Sequence, residues 1–117
     1  MTQTMIIREN DVIALYVEFT NRSGGKRRPA LALSYENQII TFYPITSKYA
    51  NRSERIKAQY YPIKEWQSVG LTKPSYVDVG NELVSNISDV EVTRIGSLSA
   101  LDIIGLKAFI ANYLLNK

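Results

Sequence analysis

The chain has neither cysteine nor histidine among its 117 residues. Without cysteine it cannot form a disulfide framework, a zinc–thiolate site or a thiol nucleophile, and this absence fits a reducing compartment. Without histidine it cannot be a serine or cysteine hydrolase that uses a histidine base, and it cannot bind a metal ion through imidazole. A nuclease that uses two imidazoles as acid and base is excluded for the same reason.

Long hydrophobic runs are also absent. No apolar stretch of the sequence approaches the roughly 20 residues that span a bilayer, so we expect a cytoplasmic protein that does not enter a membrane. The length falls in the ordinary range of one domain, which can bury a core without a disulfide or a metal ion. We therefore expect a single domain over residues 1–117.

The charge is modest in total but uneven along the chain. The formal net charge is +3, yet residues 1–73 hold 11 Lys and Arg against 6 Asp and Glu, whereas residues 74–117 hold 3 against 5. The cations concentrate around residues 22–28 and 48–57. Two basic loops of this kind could converge on a polyanion. The alternative is that they are solvated loops whose charge keeps the protein in solution.

The hydrophobic pattern predicts a mainly β fold with a C-terminal helix. Residues 12–19, 30–33, 39–45, 58–61, 75–79 and 90–95 are predicted strands, with a flexible loop at 21–25 and a hairpin turn at 35–38. Residues 62–69 suit helical turns that end at Gly70. A helix starts at Ser99 as its N-cap, with Asp102 completing an acidic capping box. Several short strands and one helix predict a small, strongly bent barrel whose open side the helix covers; its predicted apolar stripe is Ile103, Leu106, Ile110 and Leu114.

Two short segments contain the residue types of a phosphate site. In the first, residues 24–29, two glycines precede three cations and Pro29, which restricts Arg28 to extended geometry. A guanidinium held in place suits bidentate recognition of a phosphate. In the second, Thr46, Ser47 and Lys48 directly follow a predicted strand, where binding groups often lie. Hydroxyl groups in such places also serve as local turn caps.

These segments resemble the signatures of PemK/MazF-like toxins of type II toxin–antitoxin systems. Residues 25–34 resemble the family's glycine, basic, Arg-Pro and aliphatic element, and residues 44–47 resemble its second signature at a matching distance. Similarities at 10–12, 73–77 and 94–98 follow in the family's order, so the resemblance covers nearly the whole chain. It implies an SH3-like barrel, a homodimer, and sequence-specific endoribonuclease cleavage of single-stranded RNA (mRNA) without a metal ion or cofactor.

The resemblance also implies catalytic roles for individual residues. Arg28 takes the place of the essential arginine that stabilises the phosphorane, and Thr46 takes the place of the essential threonine. Because a hydroxyl is a poor base at neutral pH, we expect Thr46 and Ser47 to orient the phosphate and the attacking 2′-hydroxyl. Some family members use an acid on the strand that here spans 75–79. Asp78 is the candidate there, although no arginine accompanies it and a solvent-facing carboxylate is the favoured interpretation.

Binding of RNA and of the antitoxin is implied in the same way. Lys26, Arg27 and Lys48 are predicted to contact phosphates, which carry much of the salt-dependent affinity, and Tyr49 is predicted to stack on a base. A cognate antitoxin occupies the RNA groove in this family. We expect a negatively charged, partly disordered antitoxin segment to fold into a basic groove here.

Two other functions stay open at this stage. CcdB-like gyrase poisons share the fold but end in tryptophan, glycine and isoleucine, whereas this sequence ends in Leu115-Asn116-Lys117. A non-catalytic barrel that binds RNA or a peptide would have the same composition as the enzyme. Residues 81–89 form a longer polar insertion than is usual in compact bacterial toxins of this kind, and the sequence suggests no structure for it.

Overall fold

The computed structural model describes residues 6–18, 25–89 and 91–117. In this part of the chain seven antiparallel strands form one sheet in the order β4-β5-β3-β2-β1-β7, with β6 also paired to β3. The elements are β1 (Asp11–Glu18), β2 (Gly25–Glu36), β3 (Ile39–Thr46), α1 (Glu54–Lys57), β4 (Tyr60–Pro62), α2 (Trp66–Val69), β5 (Tyr76–Asp78), β6 (Leu83–Asn86), a 3-10 turn (Ile87–Asp89), β7 (Glu91–Ser97) and α3 (Ala100–Leu115). The predicted mainly β fold with a C-terminal helix is confirmed.

Strand β2 is much longer than the predicted strand at 30–33, because it begins at Gly25 and includes the basic residues 26–28. The expectation that these cations lie in a loop was wrong. Residues 25–29 pair with β1 alone, since pairing with β3 starts only where Ala30 lies opposite Pro44. Proline lacks an N–H and is tolerated in a strand beside an unpaired edge, which explains Pro29. The other residues of the predicted 21–25 loop lie outside the described part of the chain.

The β2–β3 hairpin turns at Asn37 and Gln38, whose φ angles are 52° and 65°. A two-residue turn with positive φ at both positions matches the right-handed twist of the strands it joins. The register places Glu36 opposite Ile39. The predicted hairpin is therefore confirmed.

Apolar side chains cover both faces of the central strands. On one face Val12, Leu31 and Tyr43 lie side by side in register and pack with residues of α3. On the other face, Ile40 of β3 and Val92 of β7 belong to one buried cluster. The intervening strands β2 and β1 also contribute to this second cluster, through Ala30, Ala32, Ile13 and Leu15, so it extends across the other face of the sheet from β3 to β7.

Helix α3 begins as predicted, with Ser99 as N-cap and the N–H of Asp102 donating to Ser99 Oγ at 3.3 Å. Along the helix, Leu106 is buried and Ile103 and Ile110 pack against the core. Leu114 does not join them, because its side chain is 60% exposed. Its place on the buried stripe is taken by Phe109 and Tyr113, which contact the core as half-buried side chains.

The Asp102 carboxylate does not close the predicted capping box. It is fully buried and accepts hydrogen bonds from the hydroxyl of Tyr61 at 2.7 Å and from the N–H groups of Lys64 and Glu65, each at 2.9 Å. The first turn of α3 is thereby tied to the segment between β4 and α2. Burial first, and then the hydrogen bond to Asp102, raise the pKa of Tyr61 far above its usual value.

Two elements were not predicted. Helix α1 follows Ser53, whose Oγ accepts the N–H of Ile56 at 3.3 Å, in a segment for which no helix was predicted. The polar insertion at 81–89 contains β6, which pairs with β3 through residues 39–42, and the 3-10 turn.

Helix α2 ends as predicted at Gly70, whose φ of 110° is left-handed. The predicted strand at 90–95 is β7, and residue 90 lies outside the described residues.

Candidate nucleic-acid interface

A groove of about 520 Å³ lies beside the open edge of β2. Strand β2 contributes residues 26–29, the end of β3 contributes residues 44–48, and the loop between α2 and β5 contributes residues 71–73 and Ser75. The pairing of β3 with both β2 and β5 brings these segments together although they are distant in sequence. Six of the seven predicted site residues line this groove: Lys26, Arg27, Arg28, Thr46, Ser47 and Lys48.

The groove is strongly basic. Its described lining contains six Lys and Arg side chains and a single carboxylate, that of Asp78. A concave surface lined by one sign of charge concentrates ligands of the opposite sign. Arg52 and Lys73 were not among the predicted binding residues, although Arg52 lies in the basic cluster at 48–57 and Lys73 in the family-like segment at 73–77. They reach the groove because the loops that follow β3 and α2 lie beside it.

Arg27 and Arg28 differ in their partners. The Arg27 guanidinium donates to Thr93 Oγ1 at 3.1 Å and to Glu91 Oε1 at 3.4 Å, which holds it towards β7. Both members of this ion pair are more than half exposed, so water screens it and it contributes little stability. Arg28 is exposed and makes no ion pair with any described residue. Its charge is therefore available to a ligand in the groove.

The hydroxyl of Thr46 lies at the end of β3 and organises the loop that follows. Its Oγ1 accepts the N–H of Lys48 at 3.1 Å, which is the turn-capping role that such hydroxyls often have. A threonine hydroxyl accepts and donates at the same time. Thr46 can thus cap the turn and still donate its proton to a ligand oxygen, while Ser47 beside it is exposed.

Tyr49 lies next to the groove rather than in its lining and contacts other aromatic residues. Its ring stacks on Tyr76 with the centroids 4.3 Å apart and the planes 8° from parallel. The Lys57 ammonium lies over the Tyr49 ring, 5.0 Å from its centroid. Base stacking by Tyr49 stays a prediction.

Asp78 is not the solvent-facing carboxylate that we expected. Its side chain is buried and accepts hydrogen bonds from Gln59 Nε2 at 2.8 Å, from the Gly80 N–H at 3.0 Å and from Asn81 Nδ2 at 2.7 Å. The expectation failed because it treated β5 as a strand with one wet face, whereas the turn at residues 80–81 folds over the carboxylate. Asp78 still lines the groove.

The described part of the chain contains no group of three or more His, Cys, Asp or Glu side chains that could hold a metal ion. None of its helices has both the length and the apolar character needed to cross a bilayer.

No protein-family model and no curated protein matches the chain. Solved structures do match. A chain of the MazE–MazF complex (Form-II) from Deinococcus radiodurans has a TM-score of 0.72 at 14% identity and covers 95% of this chain and 97% of that chain. The Mycobacterium tuberculosis toxin MazF-mt6 has a TM-score of 0.59 at 25% identity and covers 86% and 94%. An Mtb toxin has a TM-score of 0.56 at 28% identity and covers 74% and 91%.

The first of these likenesses concerns the fold alone, because its identity is low. The two mycobacterial toxins add sequence similarity over most of their length. In this chain, moreover, the two segments that resemble the family's signatures line one basic groove. The chain therefore has the fold of the MazF toxins and shares sequence similarity with two mycobacterial toxins.

Proposed function

We propose that the chain is the toxin of a type II toxin–antitoxin pair and cleaves single-stranded RNA in the cytoplasm without a metal ion. The observation that carries this proposal is that Arg28, Thr46 and Ser47 line the same groove, together with five further cations. RNA is the ligand class that this charge favours, since phosphate contacts dominate the affinity of proteins for single strands.

The proposed reaction is an internal phosphoryl transfer. The 2′-hydroxyl loses its proton and its oxygen attacks the adjacent phosphorus, while the bond from phosphorus to the 5′-oxygen breaks. The 5′-oxygen takes up a proton from Arg28 or from water, so the products carry a 2′,3′-cyclic phosphate and a 5′-hydroxyl. Arg28 donates to the non-bridging oxygens and offsets the charge that develops on them. Thr46 and Ser47 orient the phosphate through their hydroxyls. Asp78 is the one carboxylate among the described lining residues and is the candidate acceptor of the 2′-hydroxyl proton.

The test is cleavage of a long unstructured RNA in excess EDTA, followed by determination of the fragment end groups. We expect cyclic phosphate and 5′-hydroxyl ends from the wild type. Loss of one donor to a developing oxyanion typically slows a reaction by about 10²–10³-fold, and we expect losses of this order for Arg28→Ala and for Thr46→Ala. Lys107→Ala, at an exposed position of α3, is the matched control and should cleave normally.

Two results would contradict the proposal. Equal cleavage by the wild type and by both groove variants would mean that a contaminating nuclease is responsible. Intact RNA with a folded wild-type protein would favour a non-catalytic binding module or a gyrase poison, and gyrase inhibition would then separate these two.

We further propose that an antitoxin with an acidic segment occupies the groove. One solved match is a MazE–MazF complex, and the basic lining here complements an acidic, partly disordered chain. Reversal of two groove charges, Arg28→Glu with Lys48→Glu, should abolish binding of a synthetic acidic peptide in calorimetry. Binding that persists unchanged in this variant would rule the groove out as the docking site.

We also propose that the protein is a homodimer in which α3 pairs with α3 of a second copy. The helix exposes apolar residues at a spacing of three and four positions, away from the buried stripe: Leu101, Ile104, Ala108, Ala111 and Leu115. In an antiparallel pair of helices centred on Ala108, Leu101 of one copy would meet Leu115 of the other, and the alanines would permit close approach. Such a surface complements itself across a twofold axis.

A further inference from the structure

A cluster of three tyrosines holds the loop that follows β3. The Tyr49 ring stacks on Tyr76 with centroids 4.3 Å apart, and Tyr60 lies tilted with its centroid 6.3 Å from each of the other two. The Lys57 ammonium lies over the Tyr49 ring. Tyr76 thus covers one face of Tyr49, and a cation also lies over the ring, so part of the ring surface is already occupied by contacts within the protein.

The tyrosine cluster is joined directly to the residues of the groove. Tyr76 is the cross-strand partner of Thr46 in the last pair of the β3–β5 ladder. The carbonyl of Tyr49 accepts the N–H of Arg52 at 3.0 Å, which closes a turn. Tyr49 is thus anchored between Lys48 and Arg52, two cations that line the groove, while Tyr76 is not part of the groove lining.

We infer that Tyr49 and Tyr76 are positioning residues, which hold Thr46, Lys48 and Arg52 in place through the stacked rings. This inference rests on the proposed ribonuclease function and assigns Tyr49 a role other than stacking on a base. A loop that is ordered before substrate arrives avoids the entropy cost of ordering it during the reaction. Phosphate and hydroxyl groups can then meet donors that are already in place.

The contacts of Lys57 support this assignment. Its side chain is 22% exposed, whereas its ion-pair partner Glu54 is 94% exposed and 3.7 Å away. Such an exposed pair contributes little, so the ring contact is the better-shielded interaction of the ammonium. Helix α1 therefore contacts the loop through Lys57 and Tyr49. The segment from Thr46 to Lys57 is thus fixed at one end by the pairing of Thr46 with Tyr76 and at the other by this contact.

The variant Tyr76→Leu distinguishes a positioning role of Tyr49 from a role in base stacking. It removes the stacked partner but adds no group to the groove, and it uncovers one face of Tyr49. If Tyr49 were a base platform, this variant would bind RNA as tightly as the wild type or more tightly. If the rings position the loop, Tyr76→Leu and Tyr49→Leu should each impair the protein similarly, and the double variant should be no worse than either. Tyr76→Phe keeps the stack and should behave as wild type.

The first measurement needs no RNA. Amide hydrogen exchange by NMR reports on the N–H of Lys48, which Thr46 Oγ1 accepts. We expect faster exchange at Lys48 in both leucine variants, by about two- to tenfold, the range that the worth of an aromatic pair allows. Tyr35→Leu is the control, because Tyr35 is also half-buried but packs against the buried cluster that contains Ile40 and Val92. The Lys48 exchange rate should not change in this variant.

The second measurement is single-turnover cleavage of a short RNA, with its affinity measured separately on a 2′-deoxy analogue. Positioning predicts a lower cleavage rate at saturating RNA in both leucine variants. Loss of analogue affinity in Tyr49→Leu, with normal Lys48 exchange and normal cleavage in Tyr76→Leu, would overturn the inference in favour of a base platform. If the wild type cleaves no RNA, the proposed function fails and the exchange rates still decide whether the rings hold the loop.

Discussion

Among single residues, Asp11 shows how a buried carboxylate can remain charged. Ser97 Oγ donates to its Oδ1 at 2.6 Å, the Arg8 N–H donates to its Oδ2 at 2.9 Å, and Arg94 Nε lies 3.4 Å from Oδ2. Burial by itself would raise the pKa of Asp11. The hydrogen bonds from Ser97 and Arg8, with the charge of Arg94, outweigh burial and bring the pKa below its ordinary value of 3.8.

A lowered pKa makes the stability of the protein depend on pH with a definite sign. The ionised Asp11 stabilises the folded state above the unfolded-state pKa of 3.8, and this contribution is lost as the pH falls through the lower folded-state pKa. Asp11→Asn leaves the donors of Ser97 and Arg8 poorly matched. It should lower the free energy of unfolding by about 1–3 kcal/mol near neutral pH. Urea unfolding at a series of pH values should show this difference shrinking below about pH 4.

The exposed neighbour Glu9 supplies the matched control for this experiment. Glu9→Gln removes a charge of the same sign nearby and should leave the free energy of unfolding nearly unchanged at every pH. A difference between Asp11→Asn and the wild type that stays constant down to pH 2.5 would mean that ionisation of Asp11 does not contribute.

At the scale of whole elements, α3 packs on β4 through a glycine. A Cβ at Gly105 would collide with the hydroxyl of Tyr61, the group that donates to Asp102. The Tyr61 ring is buried and lies edge-on against Phe109, so it has little room to move. Gly105 is thus in the helix because α3 must approach Tyr61 closely, although glycine is a poor helix former.

Gly105→Ala should therefore destabilise the protein. In an exposed helix the change would raise the free energy of unfolding by about 1 kcal/mol. Here, overpacking and a disturbed Tyr61–Asp102 hydrogen bond should lower the free energy of unfolding by about 1–3 kcal/mol. Thermal unfolding should show a lower midpoint for Gly105→Ala. Asn112→Ala, at an exposed position of the same helix, is the control and should be neutral or slightly stabilising.

The same substitution in a Tyr61→Phe protein tests why Gly105→Ala lowers stability. In Tyr61→Phe the colliding hydroxyl is gone, so adding Gly105→Ala should cost less there than in the wild type. Equal costs in the two backgrounds would mean that the hydroxyl contact is not what requires glycine at this position.

At the scale of the whole molecule, the exposed stripe of α3 predicts the oligomeric state. Ile104 lies within this stripe and is 69% exposed. Ile104→Glu would bury a charge in the proposed helix pair, so it should convert the dimer into a monomer without unfolding it, since the position is exposed in the single copy. Sedimentation at a series of concentrations measures this change. Gln67→Glu adds the same charge at an exposed position of α2 and should leave the dimer intact.

A monomeric wild type at micromolar concentration would refute the helix pairing. A dimer that survives Ile104→Glu would place the contact on another surface. Either result would leave the groove and its chemistry as they are, because none of the described lining residues belongs to α3.

Several features could be predicted from the residues alone because they depend on local physical chemistry. The absence of cysteine and histidine excludes whole classes of active site whatever the fold. Ser99 caps α3 and Gly70 ends α2 in a left-handed conformation, since capping depends on a few neighbouring residues. The membership of Arg28, Thr46 and Ser47 in one groove was predicted through resemblance to a family, not through their spacing.

Other features were decided by the tertiary structure. Periodicity describes one element at a time, so it placed Leu114 on the buried stripe although no described residue buries that side chain in the single copy. For Asp78 a solvent-facing strand carboxylate was the favoured interpretation, although a turn folds over it. The pairing of the strands determines which segments meet. Lys73 and Arg52 line the groove for this reason. Arg27 forms an ion pair with Glu91, whereas Arg28 makes none with the described residues. Tyr49 stacks on Tyr76. These contacts join residues that are far apart in the chain, so periodicity within one element does not predict them.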